Sequence, residues 1–262
     1  MIKPSYVKII ALTGLISLAC TTKVSEWVLL NSLPNQYTLV YFHNKPADEK
    51  IRQQNAALNN SITEANVQFR DVVKEDAAQP YYALYYENRL FSRYNDPAEL
   101  RNISSSPVRD KIAMELKAGK LCVMVYLKSG NSEKDSRTIQ VLRKAIDSSP
   151  FKDIIPVVEL SRSTIEENHF ISMLLNVEAD LKTIKEPMLF GVFGRFKALE
   201  PLLAGGITEE NINLMIDFLT ADCSCLIKDD LPGTDILYIN AWDFPATALV
   251  NEIFDNNPSL RH

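Results

Sequence analysis

Two short apolar runs, Tyr37–Phe42 (YTLVYF) and Leu121–Leu127 (LCVMVYL), each open the same succession of elements. Both are rich in β-branched and aromatic residues and too short for helices, so both read as buried strands. His43-Asn44-Lys45-Pro46 breaks the first run. Ile51, Asn55, Leu58, Ile62 and Ala65 then recur at helical spacing along one face. Val67 and Phe69 alternate with polar neighbours and lead to Val72-Val73, a second strand. Pro80 precedes Tyr81–Tyr86, and Glu87-Asn88 turns the chain into Arg89-Leu90-Phe91, a hairpin. Asp96-Pro97-Ala98-Glu99 has the cap, proline and glutamate of a helix start, and a helical stretch at Val108–Lys117 closes the unit.

The order then repeats. Lys128-Ser129-Gly130-Asn131 breaks the second run, Ile139, Leu142 and Ile146 mark a helix, and Ile154–Leu160 is a strand. Pro187 precedes the strand Met188–Phe193, the turn Gly194-Arg195 and the run Phe196–Leu199. Thr208 caps a last helix with Ile212, Met215 and Phe218 inside. One element is extra: Ser163-Thr164-Ile165-Glu166 reads as a capping box opening a helix with Phe170, Met173, Leu174, Val177 and Leu181 on one face. Phe42 to Pro80 spans 38 positions and Leu127 to Pro187 spans 60; the insertion accounts for the difference of 22.

The N-terminus carries an address. Lys3 and Lys8 precede Ile9–Ala19, an uncharged and mostly apolar run of secretory length, too short to cross a bilayer. Ser17-Leu18-Ala19 places small residues where a signal peptidase accepts them, and Cys20 follows. The segment resembles a bacterial lipoprotein signal, with Ser17 where the stricter motif has Leu or Val. The resemblance implies lipid attachment at Cys20, anchoring in the cell envelope and a periplasm-facing or surface-exposed chain; the competing reading is an ordinary secreted protein with a free Cys20. The chain has 28 Lys and Arg against 33 Asp and Glu, a net charge of −5. Cleavage before Cys20 removes two lysines, leaving 26 − 33 = −7. Without a basic block, the chain lacks the footprint of a nucleic-acid binder.

Strand, helix, strand, proline, hairpin, helix is the plan of the thioredoxin fold, and the resemblance covers about residues 25–240 as two tandem halves. The expected fold class is therefore α/β, two thioredoxin-like domains with central mixed sheets, the second with an inserted helix. The expected division is a signal peptide at 1–19, a lipidated tether at 20–35, domain 1 at 36–118, domain 2 at 119–242 and a C-terminal tail at 243–262. A generic α/β domain is the competing reading. In the thioredoxin family the proline before the third strand is cis, which makes Pro80 and Pro187 the candidates.

The family's C-x-x-C is absent from both places where it belongs, His43–Ala47 and Lys128–Ser132. A helix N-terminus there would activate a thiolate, and neither stretch contains a thiol. His43 stands at that position and is a candidate site residue or a structural histidine. Cys122 lies in an apolar strand and reads as a small core residue. Cys223-Ser224-Cys225 follows the last helix; the pair is open to a disulfide or redox role, a structural role, or weak metal ligation with only two of four zinc positions supplied. Ser106-Pro107-Val108-Arg109, Glu186-Pro187, Phe193-Gly194-Arg195, Ala204-Gly205-Gly206-Ile207, Cys223-Ser224-Cys225 and Pro232-Gly233-Thr234-Asp235, in that order, resemble a group of exported bacterial lipoproteins with tandem thioredoxin-like halves. Phe196 departs from the small residue expected after Gly-Arg. No nucleotide-loop, hydrolase-elbow or zincin string occurs, and no cofactor is implied. The expected function is a non-catalytic binding or scaffold module with a protein or peptide partner; the alternative is an unconventional thiol oxidoreductase using Cys223 and Cys225.

Overall fold

The computed structural model describes residues 24–221 and 232–238. The chain is mixed α/β with two mixed sheets. After helix α1 (Val24–Asn31) come β1 (Tyr37–His43), α2 (Glu49–Ile62), β2 (Val67–Val73), β3 (Tyr81–Tyr86) and β4 (Arg89–Tyr94). These strands form the first sheet in the order β2-β1-β3-β4, with β1 parallel to β2 and antiparallel to β3. Glu87 and Asn88, both at positive φ, make the tight turn between β3 and β4. Asp96 and Glu99 close the capping box expected there, but the helix they open is a single 3-10 turn, Pro97–Leu100.

Helix α3 (Pro107–Lys117) leads to β5 (Cys122–Lys128), α4 (Ser132–Ser148), β6 (Val157–Ser161) and α5 (Asn168–Leu174). Then follow β7 (Met188–Phe193), β8 (Lys197–Ala198), β9 (Leu202–Leu203), α6 (Glu209–Thr220) and β10 (Thr234–Asp235). In the second sheet the order is β10-β8-β7-β5-β6, with β9 also on β7. Its β6-β5-β7-β8 part repeats the order and directions of the first sheet, parallel for β5 with β6 and antiparallel for β5 with β7.

The second sheet is covered on both faces, which explains why β5 reads as an unbroken apolar run. Met124, Tyr126 and Leu189 pack with α4 and α6 on one side. Val123, Val125 and Phe190 pack with Ile112 and Leu116 of α3 and Phe170 and Leu174 of α5 on the other. Two expectations about organisation change here. Helix α3, expected to close the first unit, lies against β5 and β6 of the second. The segment expected to be a tether contains α1, whose Val24, Val28 and Leu29 are buried in the second half beside α6. Gly194 (φ 57) permits this docking: a Cβ there would stand 2.5 Å from Val28 Cγ1. Arg195 Nε then donates to the Leu29 carbonyl at 3.0 Å, satisfying a carbonyl at the end of α1.

The inserted helix is also shorter than expected. Thr164 makes no side-chain cap, and Ser163 Oγ turns instead to Ser161 Oγ at 2.9 Å. A 3-10 turn at Ile165–Glu167 precedes α5, so Val177 and Leu181 fall beyond the helix. Phe196 adopts φ 74, unusual for an aromatic residue. Its buried ring stacks on Tyr238 with centroids 4.6 Å apart.

Candidate functional site

Each half has a loop at the carboxyl end of its first strand, where the expected C-x-x-C is absent, and each loop is tied off by its own hydrogen bonds. In the first half, β1 ends on His43, which is 6% exposed and stacks on Tyr41. Nε2 lies 2.5 Å from Asp71 Oδ1 and Nδ1 lies 2.6 Å from the Lys45 carbonyl. Both ring nitrogens are thus engaged by acceptors within the fold, and neither is left open to a substrate. Asn44 Nδ2 donates to the Ala77 carbonyl at 2.8 Å, joining this loop to the segment before Pro80. Asp48 accepts from Ile51 N at 2.8 Å and starts α2.

In the second half Asp135, in the first turn of α4, folds back under the loop. Its Oδ1 accepts from Ser129 N at 2.8 Å and Ser129 Oγ at 2.9 Å, and its Oδ2 accepts from Gly130 N at 3.1 Å. Arg162 donates from Nε to the Lys128 carbonyl and from Nη2 to the Glu186 carbonyl, both at 3.1 Å. Burial lowers the pKa of this guanidinium. The end of β5 is thus bridged to the residue before Pro187. No peptide bond among the described residues is cis, so the bonds preceding Pro80 and Pro187 are trans, which corrects the expectation for both. In each half the proline instead sits just before its strand, where its missing N–H costs no ladder bond.

Cys122 is fully buried, and burial pushes its thiol up to about 12. A thiol held so firmly protonated is neither a nucleophile nor a ligand. Cys20, Cys223 and Cys225 lie outside the described residues. Their described neighbours meet: Val24 N donates to the Ala221 carbonyl at 3.0 Å. Among the described residues no three His, Cys, Asp or Glu side chains are gathered as metal ligands, and no helix is long and apolar enough to cross a membrane.

The polar groups of greatest consequence lie between the halves. Arg109, with no exposed surface, donates from Nε to Ser106 Oγ and through both terminal nitrogens to the carbonyls of Asn102, Ile103, Ser105 and Leu237. Burial lowers its pKa to about 10 despite the opposing attraction of Glu167. Glu167, equally buried, accepts from Ser106 Oγ at 2.6 Å and Val108 N at 2.8 Å, so the inserted segment caps the first turn of α3. Asp235 receives Lys197 Nζ at 3.1 Å and Asn35 N at 3.0 Å, while Tyr37 OH donates to its carbonyl at 2.9 Å. Tyr238 and Asn66 exchange two further bonds, Tyr238 N to Asn66 Oδ1 and Asn66 N to the Tyr238 carbonyl. Residues 234–238 therefore form a strap pinned to both halves.

Beside the strap a cleft of about 460 Å³ remains between the halves. Tyr37 and Tyr86 line it, with Leu90 and Phe91 of β4 and Met173 and Val177 across from them. Position between two packed units is a common setting for a binding cleft. Set against known proteins, the chain matches no family model and no curated sequence.

Of the residues singled out from the sequence, the structure brings His43 to the predicted loop but gives it only structural partners. The junction residues Arg109, Glu167 and Asp235 were not singled out individually, although Ser106-Pro107-Val108-Arg109 and Pro232-Gly233-Thr234-Asp235 contain two of them. A signal for Arg109 was present: it shares the 0, 3, 4, 7 spacing of Ile112, Ala113 and Leu116, an apolar helix face.

Proposed function

We propose that this chain is a lipid-anchored binding module of the bacterial cell envelope, built from two thioredoxin-like halves and without dithiol chemistry at the usual place. The repeated strand order, with the same parallel and antiparallel pairings in both sheets, supports the thioredoxin-like reading. The observation that carries the functional reading is the state of the two loops. Neither holds a cysteine, and the donors and acceptors around each are committed to one another through His43, Asp71 and Asn44 or through Asp135 and Arg162.

The anchor reading rests on Lys3, Lys8, the apolar run and Cys20. An acyl chain contributes about 0.8 kcal/mol of membrane affinity for each buried CH₂. An unconventional thiol exchange, with Cys223 or Cys225 as nucleophile and the other resolving, is the outcome that overturns the binding-module reading.

Thiol titration of the full chain with and without reductant separates the two. The binding module predicts that Cys223→Ala and Cys225→Ala leave partner binding and any cellular phenotype unchanged. A pair that cycles with a measurable potential, and whose loss removes the phenotype, contradicts it. The anchor is tested by metabolic lipid labelling: wild type incorporates label and Cys20→Ser does not. Labelling of neither protein overturns the anchor.

A further inference from the structure

We propose that the cleft between β4 and residues 173–179 binds an extended peptide, which pairs along the open edge of β4, sinks an apolar side chain between Phe91 and Met173, and sets a carboxylate against Lys182. This rests on the binding-module reading and assigns that module its site and its class of ligand.

The backbone supplies the first support. β4 is the last strand of its sheet, and among the described residues it makes no backbone hydrogen bond outside its ladder with β3. An unpaired strand edge is a template for another strand. Proteins commonly protect such an edge with charge; β4 carries Arg89 and Arg93, but Leu90 between them is 59% exposed. The ladder slips between Leu84 and Tyr85, so that Leu84 faces Ser92 while Tyr85 faces Leu90. Phe91 is the extra residue of that bulge, a device that re-aims a side chain. It meets the Tyr37 ring edge-on at 6.1 Å and lines the cleft.

The remaining walls fix the chemistry of the occupant. Met173 and Val177 present apolar surface opposite β4, and methionine adapts to varied apolar shapes. Charge at the rim is uneven. Glu87 is committed to Arg89 at 3.3 Å and to Asn35 Nδ2 at 3.0 Å. Lys182 Nζ lies 6.0 Å over the Phe91 ring and forms no ion pair among the described residues. A cation without a carboxylate beside an apolar slot is complementary to an apolar residue followed by an acidic side chain or a C-terminus. The cleft is also continuous with the junction between the halves, since Tyr37 and Thr234 belong to both.

The test uses the full chain and an N-acetylated heptapeptide of alternating Leu and Thr ending in a free carboxylate, alongside an analogue N-methylated at alternate amides. Titrations are followed by calorimetry and by amide chemical shifts. The expected result is saturable binding with shifts centred on residues 89–94, and about tenfold weaker binding of the N-methylated analogue. Leu90→Lys and Lys182→Glu each weaken binding several-fold without moving the unfolding midpoint, since both side chains are exposed. Equal binding of the N-methylated peptide, shifts confined to β2 or to the groove between Leu202 and Phe218, or no saturable binding overturns the assignment. Binding at another place leaves the binding-module reading standing. Turnover of a disulfide substrate through Cys223 and Cys225 overturns that reading wherever the peptide binds.

Discussion

Replacing Arg109 by Met tests whether the junction between the halves is held by one buried guanidinium. Methionine keeps an unbranched apolar stem, so most of the change is the loss of the charged fork. Four carbonyls, those of Asn102, Ile103, Ser105 and Leu237, lose a donor, and Ser106 Oγ loses another. At about 1 kcal/mol for each carbonyl, with second lone pairs still free to find other donors, the loss is about 4 kcal/mol. A second route gives a similar size: removing one member of a buried charged network costs about 3–5 kcal/mol. The partner here is Glu167, linked to Arg109 through Ser106 Oγ. Domain stabilities run from about 5 to 15 kcal/mol, so the variant should lose about a quarter or more of its stability. Urea unfolding followed by circular dichroism reads this as a lower midpoint at unchanged slope. Glu167→Gln removes the charge but keeps an acceptor for Val108 N. The double variant should therefore be less destabilised than the sum of the singles by about 1 kcal/mol or more. An Arg109→Met penalty below about 1 kcal/mol refutes the reasoning.

Gly194→Ala should undock α1, because the added Cβ meets Val28 at 2.5 Å and the position has φ 57; limited proteolysis should then cut before Leu33 faster than in wild type, and unchanged protection contradicts the account. Burial raises the pKa of Tyr37 and carries Tyr82 and Tyr238 to about 12. A raised folded pKa gives stability that is complete below the unfolded value near 10 and lost as pH climbs toward the folded one. The thermal midpoint should accordingly fall between pH 10 and 12, and a flat profile there excludes the buried phenols as its cause. Cys122, held near 12, has a thiolate fraction on the order of 10⁻⁴ at pH 8. In a Cys20→Ser, Cys223→Ala, Cys225→Ala background the native chain should therefore resist alkylation until unfolded; prompt labelling contradicts its burial.

Local structure was read most successfully where one residue pattern decided it. Met188–Phe193 is apolar at every position and is β7 to the residue, and Tyr81–Tyr86 is β3. Thr208 caps α6 through Asn211 N as its residue type suggests. Failures came where two segments competed for one partner. The face of α3 shows that the helix is half-buried but not which sheet buries it, and Ile112 and Leu116 find the second. Ser163-Thr164-Ile165-Glu166 has the letters of a capping box, yet the chain spends its first residues on a 3-10 turn that delivers Glu167 to α3. Trans bonds before Pro80 and Pro187 show the limit of resemblance, since a strand-opening proline is satisfied by either isomer. Of the candidate site, the sequence made legible the absence of cysteine from two loops. The cleft beside β4 needs the strap, α5 and the bulge at Phe91 together, and these are far apart in sequence.

The most direct test of the binding-module account is insulin-disulfide reduction by the purified full chain in the presence of dithiothreitol. The account predicts precipitation of insulin chains no faster than with dithiothreitol alone, and the same for the Cys223→Ala, Cys225→Ala variant. Acceleration by the wild-type chain that disappears in that variant contradicts it.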